Sequence, residues 1–159
     1  MNDRAGGDDK GPRLGEIGLQ QFAPYLMNSI MGRYNAELRQ DLAKVGLTIP
    51  KMRSLAILSL IDGLLIGELA DYAVVEQSTL SRALDALEAE GMLRRAVDGN
   101  DSRATRVWIT DSGRRMFDRL WPTMRRIYQR MFVNIEPAEH AAFVTTLQKI
   151  VANIRAFDE

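Results

Sequence analysis

The residues of this chain that could do chemistry are short polar side chains and arginines. Ser78, Ser81, Arg82 and Asp85 recur at three- and four-residue spacing, which places them on one face of a helix with Gln77 and Thr79 at its start. Such a face suits the major groove of DNA, because small hydroxyls permit close approach while amide and guanidinium groups read base edges or hold phosphates. Further along, Asp101 and Arg103 stand two positions apart in a turn, where a carboxylate can aim a guanidinium. An arginine raised on a thin loop fits the narrow, strongly negative minor groove. Arg94 and Arg95 lie between the two groups, and with Arg82 and Arg103 they would complete a basic face. Taken singly, each feature also fits a solvated polar face or a surface ion pair of little energetic value.

Other chemistries lack their raw material. Cysteine is absent and His140 is the only histidine, so disulfides, thiolate zinc sites and histidine-based acid–base catalysis are not expected, nor are a metal or a cofactor. No glycine-rich phosphate loop follows a strand, and no nucleophile, base and oxyanion donors gather, so the reading is a non-enzyme. The formal net charge of zero argues against a protein that coats nucleic acid by bulk electrostatics, although cations gathered on one face remain effective. Arginines do gather, at Arg94, Arg95, Arg103, Arg106, Arg114 and Arg115. Met1 to Pro12 is rich in Gly and Asp without an apolar run; it reads as part of a disordered tail over residues 1–14, with neither signal peptide nor membrane anchor, and the expected location is cytoplasmic.

The elements that must position these residues follow from periodicity. Phe22, Leu26, Ile30, Tyr34, Leu38 and Leu42 recur every fourth position, which predicts one long amphipathic helix from about Ile17 to Val45, closed by Gly46, with Pro24 in or just before its first turns. A second helix, with Thr48 as cap and Pro50 in its first turn, runs through Met52, Leu55, Ile57, Leu58 and Ile61 to Asp62-Gly63, and its apolar character makes it the central buried helix. Two short helices, Gly67 to Tyr72 and Gln77 to Glu90, come next. On the latter, Leu80, Ala83, Leu84 and Leu87 form the packing side, and Gly91 supplies a left-handed stop. Leu93 to Val97 and Ala104 to Thr110 read as two strands around Asp98-Gly99-Asn100. Thr110 caps a long helix from Asp111 to about Val133, which Pro122 should bend, and a last helix begins near Pro137. The expected fold is mainly α: a short helix pair and a two-stranded wing, about residues 47–110, within a single domain over 15–159.

The run Leu69-Ala70, Ser78-Thr79-Leu80-Ser81-Arg82, Leu84-Asp85, Leu87-Glu88, Gly91-Met92-Leu93, Arg95, and Asp101-Ser102-Arg103 through Ile109-Thr110 to Gly113 resembles the MarR (multiple-antibiotic-resistance regulator) family of winged helix-turn-helix transcriptional regulators. The resemblance implies that the Gln77 to Asp85 segment enters the major groove and that Arg103, oriented by Asp101, enters the minor groove. It also implies a transcriptional regulator, commonly a repressor, released by a small aromatic effector. The chain departs at Ala73 and Val74, where the family usually carries a larger apolar residue and then glycine. Its lack of cysteine separates it from the family's thiol-based sensors.

Apolar stripes in the first and last helices, about residues 15–46 and 111–157, exceed what a small winged domain can cover, so a homodimer on an inverted repeat of double-stranded DNA is expected. Met27, Met31, Tyr34, Trp108 and Met116 sit in plausible effector neighbourhoods, but methionines at helical spacing are usually core filler and no pocket is assigned. The competing reading is a winged-helix protein-interaction module without DNA binding, for which a guanidinium on the hairpin tip has no use.

Overall fold

A computed structural model describes residues 11–156; the first ten positions of the expected tail, and the last few residues of the chain, lie outside them. The chain forms two compact units divided after Ile49.

In the N-terminal unit the expected single helix is broken. A short helix α1 (Leu14–Ile17) and a 3-10 turn (Leu19–Gln21) precede the long helix α2 (Ala23–Ala43). The breaks have local causes: Gly18 adopts φ 78°, ψ 147°, which glycine alone tolerates well, and Phe22 is extended. Pro24 then occupies the first turn of α2, where its missing N–H is not needed. At the other end Gly46 turns left-handed at φ 72°, letting Leu47 N–H reach back to the Leu42 carbonyl at 3.0 Å. Leu38 and Leu42 are buried, while Phe22, Tyr25, Ile30 and Met31 are exposed.

The second unit is built around helix α3 (Ile49–Leu60), which buries Met52, Leu55 and Leu58. It also buries Ser54, whose hydroxyl donates to the Pro50 carbonyl at 2.9 Å, so no polar group is left unsatisfied there. Burial ends before the helix does, and Leu60 is exposed. A two-residue strand β1 (Leu64–Leu65) leads into α4 (Ile66–Ala73) and α5 (Gln77–Ala89), followed by β2 (Leu93–Val97) and β3 (Thr105–Ile109). The hairpin of β2 and β3 is the two-stranded wing expected, and β1, which was not expected, pairs with the far side of β3 to give a three-stranded antiparallel sheet ordered β1-β3-β2. Two residues are too few for an alternating pattern to show in sequence.

Leu69 of α4, Leu80, Leu84 and Leu87 of α5, and Leu93 and Val107 of the sheet make the core beneath the wing. Each contributes about 1.5–3 kcal/mol by leaving water. Glu68 accepts from the Leu65 N–H at 2.8 Å, fixing the start of α4. Helix α6 (Asp111–Met131) is continuous through Pro122 and is capped by Thr110, whose hydroxyl accepts from the Gly113 N–H and donates to the Gly91 carbonyl at 2.6 Å. Helix α7 (Pro137–Arg155) buries none of its residues. Where α6 ends, Phe132 stands edge-on to His140 at 4.4 Å, and the Tyr128 hydroxyl meets His140 Nε2 at 2.5 Å. No helix of the described residues is long and apolar enough to cross a membrane.

Candidate nucleic-acid interface

Two structures display the polar residues singled out by the sequence. The first is α5. Its packing side is as expected, with Leu80, Ala83, Leu84 and Leu87 all buried. The opposite side presents Gln77, Ser78, Arg82 and Asp85 to solvent, with Thr79 and Ser81 half-buried beside them. The hold on α5 comes from both ends: Lys51 of α3 bonds Glu90 at 2.6 Å, and the turn before the helix is held by Arg53, which donates to the carbonyls of Ala73 and Val74 at 3.0 and 3.4 Å. That turn runs through Val74 at φ 51°, ψ 54°, a left-handed conformation that a β-branched residue rarely takes. The departure at Val74 thus leaves the turn in a backbone state that glycine would occupy without strain.

The second structure is the wing tip. Asp101 Oδ1 accepts from the Arg103 backbone N–H at 2.9 Å and lies 3.4 Å from its Nε, and the Arg103 side chain is 91% exposed. Behind the tip, Asp98 accepts from the backbone N–H groups of Asn100 and Asp101 and from the Arg106 guanidinium. These bonds, the Asn100 N–H first, hold the Asp98 carboxyl below the usual carboxylate range. The sequence marks Asp98 as a turn former alone; its position two residues before Asn100, an Asx-turn spacing, is the signal for its role behind the tip.

The arginines that cluster in sequence divide in space. Arg94 is exposed and lies over the Trp108 ring, 4.3 Å from its centroid. Arg95 points to the other face of the sheet and bonds both Asp85 and Glu88 of α5. Arg106 is tied to Asp98 and to the Gly63 carbonyl at 2.8 Å. Arg114 is tied to Asp62 and the Ser59 carbonyl, while Asp62 also accepts from the Ile109 N–H at 2.9 Å. The structure therefore brings Asp101 to Arg103 and Asp85 to Arg95, and it turns Arg106 and Arg114 to bracing.

The MarR family model matches residues 45–104, which span α3, the helix pair, β2 and the wing tip. A crystal structure of a MarR-family transcriptional regulator from Silicibacter pomeroyi is similar at 58% identity and TM-score 0.85, over 90% of this chain and 97% of that one. The chain belongs to the MarR family. A second MarR-family regulator structure from Silicibacter pomeroyi shares 30% identity at TM-score 0.80, covering 91% of this chain and 96% of that one. The HTH-type transcriptional repressor IacR of Pseudomonas putida is 26% identical over 151 residues, 95% of this chain and 90% of the relative. This MarR-family protein is a transcriptional regulator with the winged helix fold. In it the helix-turn-helix is α4 and α5, and the wing is β2 and β3 with β1 along the far side of β3.

Proposed function

We propose that this MarR-family regulator is a homodimeric, non-enzymatic, cytoplasmic repressor that binds an inverted repeat of double-stranded DNA and is released by a small effector. The observation that carries the reading is the pairing of an exposed polar face on α5 with an exposed guanidinium at the wing tip, held in direction by Asp101. Gln77, Ser78, Thr79, Ser81 and Arg82 enter the major groove, Arg103 enters the flanking minor groove, and Arg94 meets phosphate from the wing. Residues 47–110 form the DNA-binding part, and residues 15–46 and 111–157 dimerise. The exposed Phe22, Tyr25, Ile30 and Met31 in the first unit, and Trp121, Phe143, Val151 and Ile154 in the second, support that division. Repression is supported by the name of the Pseudomonas putida relative.

Selection of bound duplexes from random DNA tests the reading and should return an inverted repeat with half-sites about one helical turn, roughly 34 Å, or a multiple of it apart. Titrating that duplex should show affinity falling about a thousandfold between 50 and 200 mM salt, if the dimer neutralises roughly six phosphates. A flat salt response would show that the arginines stand away from the DNA.

A further inference from the structure

Arg95 bonds carboxylates of the recognition helix with every donor the structure engages. Its backbone N–H donates to Glu88 Oε1 at 2.9 Å, its Nε to Glu88 Oε2 at 2.9 Å, and its Nη2 to Glu88 Oε2 at 2.6 Å and Asp85 Oδ1 at 2.8 Å. The backbone bond is available because β2 is an edge strand, whose Arg95 N–H faces α5 rather than β3. Glu88 is held below the usual carboxylate range, chiefly by the Arg95 side chain.

Asp85 is in a different situation from Glu88. Its side chain is 63% exposed, and it stands three and four positions from Arg82 and Ser81, on the face proposed to meet DNA. A bare carboxylate there repels phosphate. Among the described residues, the cation paired with it is Arg95, which comes from the wing.

We propose that Arg95 is a positioning residue for DNA binding: from β2 it masks the charge of Asp85 and clamps the wing to α5, without itself touching DNA. The inference rests on the α5-and-wing reading of the interface. Helix and wing then meet the duplex as one body, and the acidic end of the recognition face lies beside phosphates without repulsion.

The test is a double-mutant cycle read as duplex affinity and as its dependence on salt, in the full-length protein, with the selected operator duplex as probe. Arg95→Ala should weaken binding about tenfold, and in an Asp85→Asn background the same change should cost only about threefold, because the coupled charge is gone. The salt slope should stay that of the parent in both backgrounds, since no phosphate contact is lost. Equal cost in both backgrounds, with a slope reduced by about one per protomer, would overturn the inference in favour of a direct phosphate contact. No effect of Arg95→Ala would overturn it by making the residue a spectator. Should Arg95→Ala fail to fold, Arg95→Lys carries the same cycle, as an ammonium cannot span both carboxylates. A parent that retained no duplex even at low salt would overturn the DNA reading and this inference together, an outcome distinct from the others.

Discussion

Asp98 and Arg106 lock the wing from behind: one carboxylate oxygen of Asp98 accepts from the Arg106 guanidinium while the other accepts from the Asn100 N–H at 2.6 Å. Arg106 in turn donates to the Gly63 carbonyl, so the turn that displays Arg103 is fastened to the loop before β1. The direction of the Asp98 shift sets its pH dependence. Because the folded state holds this carboxyl below its ordinary value, the stabilisation is complete above about pH 5 and is lost as pH falls through the folded-state value. Asp98→Asn should be less stable than the parent at neutral pH and should lose less on acidification. Urea midpoints measured from about pH 6 down to pH 2 check this, and parallel curves for the two proteins would contradict it.

Gly113 admits no side chain. A Cβ there would fall 2.1 Å from the Met92 carbonyl oxygen and 2.8 Å from Ile109 Cγ1, so α6 would have to move off the strand ends. Gly113→Ala should destabilise by about 2–3 kcal/mol despite the better helix propensity of alanine. Equilibrium unfolding in urea gives the number directly, and a neutral or stabilising result would mean that the first turn of α6 yields easily.

Val74 makes the opposite prediction. Its left-handed backbone is strained and its side chain is 80% exposed, so removing it loses little packing. Val74→Gly should therefore stabilise by about 1 kcal/mol, the relief of the left-handed conformation exceeding the added chain entropy of glycine. A lowered melting temperature would show that the valine makes contacts worth more than its strain.

Arg82 and Arg103 should differ in kind. Arg82→Ala should weaken the selected site by about 1–3 kcal/mol per contact and relax sequence preference at the base it reads. Arg103→Ala should lower affinity for selected and scrambled duplexes alike, most of all where the flanks are A·T-rich, because the minor groove reports width more than sequence. Asp101→Ala should be a milder copy, leaving the guanidinium present but unaimed. Titrations at fixed salt with a melting control decide the matter; full-strength binding by a folded Arg103→Ala protein would remove the wing from the interface.

Helix α7, with nothing buried and Phe143, Val151 and Ile154 exposed, should be covered by a second copy. Sedimentation of the whole chain should give a dimer, and removing residues 136–159 should give an aggregated or unfolded product. A well-behaved monomer that still bound DNA after that truncation would refute the arrangement.

What the sequence determined by itself was what depends on neighbours a few residues away. The division of α5 into a buried Leu80, Ala83, Leu84, Leu87 side and a polar side, the span of β2, the cap at Thr110 and the Asp101–Arg103 pair all follow from helical or strand period and from short-range bonding. The family resemblance, too, was carried by such local motifs. Tertiary structure alone decided which arginines of the cluster brace the fold. Arg95, Arg106 and Arg114 find carboxylates seven, eight and 52 residues away, and a long guanidinium takes whichever acid the fold brings within reach, a choice that no spacing rule encodes. The same holds for β1, whose two residues become a strand only because Leu64 and Leu65 fall beside Val107 and Arg106. It holds as well for Val74, which is held left-handed by the helices on either side of it and by Arg53 rather than by any preference of its own.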